Sequence, residues 1–474
     1  MRTIKKLMGF SLGPILGAVL SSISVPISTH FLFPDEYGKT SMFNLMYAVV
    51  LLVAYLGYDQ AYIREYHEHT EKGKVLYNAM FIPTIVTIIL MLLIALFPGQ
   101  ISYILFETKE HKGVVYMFAG VLPFVIAERF ILVNIRMQEK ALEYSFFSLI
   151  IKVIAFVFTM FFLLKIRQDF LAIVYSTLLS HYIGDSILIA IYHNVFKVNK
   201  NMLDLALITQ MSKYALPLVP ATVVGSVFNG EDKMFIRFFS DYTELGYYQV
   251  AMILANMILI LQQAFSTFWT PTVFRWKAEG VANERFEFVQ KAVMLFASAC
   301  FMIIMMVKDF LPILLSQKYE NTKHILPFLL LYPVMSMVIS TTVSGIDFAR
   351  KTQFTLYFSF VVTAVNFILN WILVPRYGAI GAAIATGISH VFYFWIRTLY
   401  SRKLWFKFQL DHLIMSTILL TIAAMVNSIE ILNEFIIWSI NIGIIICGFF
   451  VYRKFIIDIF INYIFKRQNR KTNY

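Results

Sequence analysis

Lys152 stands near the middle of an apolar stretch from 143 to 164, too deep for its amine to reach water easily. A lysine at such depth costs about 2.5–3.5 kcal/mol unless it has a partner or a wet cavity. Two arrangements would satisfy it. One is an ion pair with Glu128, late in the preceding apolar stretch and brought close by the hairpin between the two. The other is a water-filled cavity with Arg129 and Arg64 as a cationic entrance below it, whose donors could replace the hydration of an anionic headgroup. Four acids also lie in or beside apolar stretches: Asp59, Asp185, Asp232 and Asp347. Each either forms a structural pair or takes up protons or Na⁺, and Asp185 has His181 one helical turn away. Cys300 and Cys447 are far apart, without metal-ligand spacing, and read as small apolar residues in packed helices. No metal and no cofactor is expected.

The elements that must position these groups are membrane helices. Of the 474 residues 59% are hydrophobic and 14% charged, and the mean hydropathy is +0.71. A soluble domain carries nearer 25% charge. Windows of about 20 apolar residues number fourteen, from 7–28 at one end to 411–430 and 433–452 at the other. The chain is expected to be all-α and polytopic. Arg2, Lys5 and Lys6 before the first window also resemble a secretory signal, but that run is long, interrupted by proline and needed as a span. Polar stripes mark faces turned from lipid: Asn44, Tyr47, Tyr55, Tyr58 or Asp59, and Tyr62 in the second span, predicted over 41–62, and Asn366 and Asn370 in the eleventh. Interhelical hydrogen bonds and ligand contact would both produce such stripes.

The net charge is +12, with 40 Lys and Arg. Alternating the connections places roughly 28 of them on the side of the N-terminus and 11 opposite, which puts both termini in the cytoplasm. The basic tail after Tyr452 then reads as a lipid-facing segment and not a nucleic-acid site. Pro34-Asp35-Glu36-Tyr37-Gly38 after the first span finds a counterpart in Tyr242-Thr243-Glu244-Leu245-Gly246 after the seventh, 208 residues on. Each follows a proline-bearing helix. Such an offset predicts two copies of a six-helix bundle in the same orientation. The expected division is an N-terminal bundle over 1–195, a cytoplasmic linker over 196–210, a second bundle over 211–403, an added helix pair over 404–452 and the tail 453–474.

From Asn366 to Ser389 the chain reads NFILNWILVPRYGAIGAAIATGIS. Two asparagines share a helix face, Pro375 ends that helix, Gly378 turns the chain, and Gly381, Ala382, Ala383, Ala385 and Gly387 start another with small residues that permit close approach. This ordered set resembles the polysaccharide exporters, the branch of the multidrug/oligosaccharidyl-lipid/polysaccharide exporter superfamily that holds O-antigen-type lipid-linked oligosaccharide flippases. The resemblance covers the whole chain. It implies two pseudo-symmetric six-helix bundles around a central cavity, with the last two helices appended. It further implies a plasma (inner) membrane flippase for undecaprenyl-pyrophosphate-linked repeat units of O-antigen, capsule or exopolysaccharide, with a polysaccharide polymerase and a chain-length regulator as possible partners. It adds weight to Asn366 and Asn370 without choosing between support and ligand contact. Lys152 and the arginines would then meet the pyrophosphate. No Gly-x-x-x-x-Gly-Lys-Ser/Thr motif is present, so transport would draw on an ion gradient, the membrane potential or downhill consumption of substrate. A multidrug exporter of the same superfamily would want an acidic or aromatic pocket, which the four aspartates keep open. A polyprenol-dependent glycosyltransferase or polymerase would place acids such as Asp35 and Glu36 in an external loop, yet the longest expected external connections are about 16 residues, short for holding an acceptor.

Overall fold

In lipid every backbone N–H and C=O must be satisfied within its own segment, so apolar stretches of bilayer length become helices. The computed structural model describes residues 2–196, 202–351 and 353–471. Eleven described helices are long and apolar enough to cross a membrane. One of them, Gln353–Leu404, is two spans folded at Gly378 (φ 51°, ψ −130°), and Arg2–Phe31 and Leu218–Phe239 complete a set of fourteen long helices among the described residues. In chain order these are α1 (Arg2–Phe31), α2 (Pro34–Tyr55), α3 (Lys72–Leu96), α4 (Lys112–Met137), α5 (Ala141–Lys165), α6 (Phe170–Ile191) and α7 (Leu218–Phe239). There follow α8 (Tyr242–Ala278), α9 (Asn283–Val307), α10 (Thr322–Thr342), α11 and α12 (the two arms of Gln353–Leu404), α13 (Asp411–Ser428) and α14 (Glu434–Lys471). The protein is an all-α, multi-pass membrane protein.

Contacts divide the chain into two units, Met1–Gly246 and Tyr247–Tyr474. The division falls later than the polar connection at 196–210. Its physical cause is that α7 packs on α2, so the seventh helix stays with the first unit. The connection itself lies partly outside the described residues, at 197–201. Beyond them it folds into a helix, Leu205–Ala215, whose first N–H groups at Ala206 and Leu207 are capped by the Asp204 carboxylate. Leu207, Ile208, Met211 and Ala215 bury its apolar face. Asn78 of α3 holds the approach, donating to the Met202 carbonyl at 2.7 Å and accepting from the Asp204 N–H at 2.8 Å.

Within the first unit α1 packs on α5, α5 on α6, and α4 on both α3 and α6. Phe43, Phe118, Phe170, Leu122 and Leu178 fill the space among α2, α4 and α6. The starts of α2 and α8, which carry the segments related by 208 residues, meet reciprocally. A Cβ on Gly38 would run into the Tyr242 carbonyl, and one on Gly246 into the Pro34 carbonyl. Each glycine thus abuts the first residue of the other segment.

In the second unit α10 is the most enclosed helix, flanked by α9, α13 and the α11–α12 hairpin. The pair α13 and α14 packs on α9, and α14 continues without a break to Lys471, so the basic segment after Tyr452 prolongs the last span as a helix.

The second span departs from its expected length. Helix α2 stops at Tyr55, because Leu56 (φ 47°) and Gly57 (φ 71°) both take the left-handed conformation that ends helices. A new short helix, Tyr58–Glu65, begins there. Tyr58, Asp59 and Tyr62 therefore leave the face that holds Asn44, Tyr47 and Tyr55.

Candidate functional site

The break at Leu56–Gly57 decides where Asp59 goes. Its carboxylate, on the buried side of the short helix, accepts from Arg129 through Nη2 at 2.5 Å and Nε at 3.1 Å, and from Gln60 at 3.0 Å. The Arg129 guanidinium also lies over the Tyr55 ring, 5.4 Å from its centroid. Asp59 and Arg129 are thus each other's partners, and the arginine keeps part of its side chain exposed. Arg64 is exposed and rests its guanidinium on Tyr214, 4.6 Å from the ring centroid. The neighbours on the short helix are held too, Tyr62 by Asn134 at 2.9 Å and Tyr58 by Ser212 at 2.5 Å.

Consecutive helical residues point about 100° apart, so Glu128 looks away from its neighbour Arg129 and toward α6. There it meets His181: Glu128 Oε2 lies 3.5 Å from Nδ1. Asp185, one turn further on α6, places Oδ2 at 3.2 Å from the same nitrogen. Asp185 is completely buried, and its other oxygen, Oδ1, has no hydrogen-bond partner. Tyr47 of α2 covers the group, its ring centroid 5.6 Å from that of His181 and its hydroxyl also buried without a partner. The i, i+4 spacing of His181 and Asp185 was visible in the sequence. The third member was not, because Glu128 lies 53 residues away and shares its helix with an arginine that could equally have claimed a partner.

Since Glu128 belongs to His181, the Glu128–Lys152 ion pair does not form. Lys152 is exposed, has no ion-pair partner among the described residues, and lays its side chain against Gly17 of α1, where a Cβ would collide with it. Next to this contact α1 and α5 are joined by the Gly13 N–H donating to Ser145 Oγ at 3.1 Å. The small residues of α1 thus give the lysine a track along the helix.

In the second unit Asn366 and Asn370 are both buried on the α11 face turned to α12. Ser389 Oγ donates to Asn366 Oδ1 at 3.2 Å across the hairpin, and a Cβ on Gly381 would stand 2.5 Å from the Leu373 carbonyl. That asparagine therefore ties the two arms together. Asp232 is buried on α7 beside Glu231. Asp347 is half-buried on the short helix Ser344–Phe348, where burial raises its carboxyl above the ordinary range and Arg397 pulls the other way. A cavity of about 400 Å³ among α9, α13 and α14 is walled by Leu295, Met302, Leu420, Ile444 and Phe449, so it offers almost nothing to a charged headgroup.

The sequence profile of the polysaccharide biosynthesis protein family matches residues 4–277, more than half of the chain. The chain belongs to that family. This polysaccharide biosynthesis protein is 21% identical over 387 residues to the probable low-salt glycan biosynthesis flippase Agl15 of Haloferax volcanii, covering 79% of this chain and 78% of the relative. Its fold matches that of the lipid II flippase MurJ in an inward closed conformation, with a TM-score of 0.70, 16% identity, and 94% and 99% of the two chains covered. An inward-facing multidrug resistance MATE family transporter follows at a TM-score of 0.57, 15% identity, and 84% and 97% coverage. The fold is therefore that of the exporter superfamily expected from the Asn366–Ser389 hairpin.

Proposed function

We propose that this polysaccharide biosynthesis protein is a flippase, a transporter and not an enzyme, that moves undecaprenyl-pyrophosphate-linked oligosaccharide units from the cytoplasmic to the outer leaflet of the plasma membrane for O-antigen, capsule or exopolysaccharide assembly. Lys152 carries this reading. An exposed amine without a counter-ion, near the middle of a membrane helix, is a standing demand for an anion. A pyrophosphate supplies the charge and the acceptor oxygens, and an ammonium on a flexible stem can follow it along α1. Arg129 and Arg64 lie toward the cytoplasmic end in this reading, where an incoming headgroup would first arrive. The naming of Agl15 and MurJ as flippases supports the same conclusion. Both termini lie in the cytoplasm, and an ion gradient drives the cycle. A polymerase and a chain-length regulator act on the delivered units.

Multidrug export by a protein of this fold would be served poorly by Lys152, whose charge repels cationic drugs. The deciding experiment compares Lys152→Ala with Lys152→Arg in cells that depend on the chain for polysaccharide export. Lys152→Ala abolishes export at normal membrane abundance, and Lys152→Arg retains part of it because charge and donors remain. Full export by Lys152→Ala would refute the headgroup role.

A further inference from the structure

Two carboxylates share one imidazole in the interior of the first unit. Glu128 and Asp185 both address Nδ1 of His181, at 3.5 and 3.2 Å. With the imidazole charged and both acids ionised, the group carries one net negative charge. Among the described residues, the surroundings bring no free cation to cancel it. From α2 the facing titratable groups are Tyr47, over His181, and Tyr55. From the short helix comes Asp59, and from α4 Arg129, but these two are bound to each other. From α5 the apolar Ile151 closes on Gly184, while Lys152 turns to Gly17 of α1. An uncompensated charge at this depth, with Asp185 fully buried, is unfavourable, so one further positive charge belongs to the site.

We infer that Glu128, His181 and Asp185 form a proton-binding site that takes one proton from water on one side and returns it to water on the other, and that this proton, not a metal ion, drives the flippase. The first half stands on the geometry alone, and the second rests on the flippase reading. Size selects the proton. Asp185 Oδ1 is wholly enclosed and has no partner among the described residues, so it offers a place for a proton, whereas a sodium ion asks for several oxygens and this group offers two carboxylates and an imidazole nitrogen. The balance is simple. The loaded site holds an imidazolium, one carboxylate and one carboxylic acid and is neutral; the unloaded site has lost the acid proton and carries −1. Tyr47, whose ring lies against His181, covers the site from α2.

Infrared difference spectroscopy of the purified full-length protein between two pH values, in Na⁺ and again in choline, tests the site without any substrate. A carboxylic-acid C=O band should appear and titrate identically in both salts, vanish in Asp185→Asn and change in Glu128→Gln. A band suppressed by Na⁺, or unaltered in both variants, overturns the proton site. In vesicles containing a labelled undecaprenyl-pyrophosphate monosaccharide, a pH gradient should drive transfer that Asp185→Asn abolishes, with no response to a Na⁺ gradient. Transfer driven by Na⁺ and indifferent to Asp185→Asn overturns the coupling. No transfer under either gradient, with the band intact, refutes the flippase reading and leaves the proton site standing.

Discussion

Asp59 and Arg129 show how one residue's chemistry depends on whether its neighbour is at home. Asp59 is buried and receives both the Nε and Nη2 donors of the guanidinium, while the arginine is partly open to its surroundings. Removing the arginine leaves a buried carboxylate with Gln60 alone; removing the acid leaves a cation that can still find water or lipid phosphate. The pair should therefore fail asymmetrically. Arg129→Ala is expected to destabilise the first unit by about 3 kcal/mol, the scale of breaking a buried pair, and to lower membrane abundance. Asp59→Asn should be milder, and adding it to Arg129→Ala should restore abundance. Quantitative immunoblotting of membranes reads all three. Equal damage from both single changes would mean that the exposed arginine is as confined as the acid, against the geometry. An acid so neutralised is a poor carrier of transported ions, which sets Asp59 apart from Asp185, Asp232 and Asp347.

At the scale of elements, the α11–α12 hairpin is the part most fully written in the sequence. The asparagines and the run of small residues mark close packing, and the structure buries both; the turn itself falls at Gly378, while Pro375, expected to end the helix, stays within it. Gly381 sits under the Leu373 carbonyl so closely that even a methyl group has no space. Gly381→Leu must push α11 and α12 apart and strain the Asn366–Ser389 bond, so membrane abundance should fall sharply, and Gly381→Ala should show the same direction more weakly. Normal abundance with lost export would assign the glycine to a gating motion instead. The reciprocal contact of Gly38 and Gly246 could not be read from the 208-residue offset alone, since an offset says nothing of which surfaces meet. The break after Tyr55 was hidden too. A single glycine in an apolar run is usually absorbed by the helix, and Leu56 gives no sign of the left-handed conformation it adopts. Everything downstream of that break, including the meeting of Asp59 with Arg129, was therefore unreadable until the chain was folded. The same holds for Glu128. Its two possible partners, Lys152 on α5 and His181 on α6, lie on different helices, and only the rotation of α4 chooses between them.

For the molecule as a whole, the question is which way it faces the membrane, and the charge distribution supports the proposed orientation through energetics of insertion that no single contact reveals. Roughly 28 of the 40 Lys and Arg fall on the side of the N-terminus when connections alternate, and basic residues near span ends are held back in the cytoplasm during insertion. The fourteen long helices keep that alternation, because an even number returns the chain to the side where it began. Two exposed turns make the expectation measurable. The turn after α8 reaches Gly280 in the left-handed conformation with open space around it, between Arg275 and Lys277 on one flank and Arg285 on the other. The segment Glu107 to His111, between the short helix Pro98–Phe106 and α4, lies at the opposite ends of its spans. A cysteine placed at Gly280 in a variant freed of Cys300 and Cys447 should resist membrane-impermeant maleimide in intact cells and react only after permeabilisation, while one at Lys109 should react at once. Labelling of Gly280 from outside would invert the topology. The proposed headgroup entry past Arg64 would then open to the outer face, where no cytoplasmic headgroup arrives, and the direction of transport argued from Lys152 would have to be abandoned.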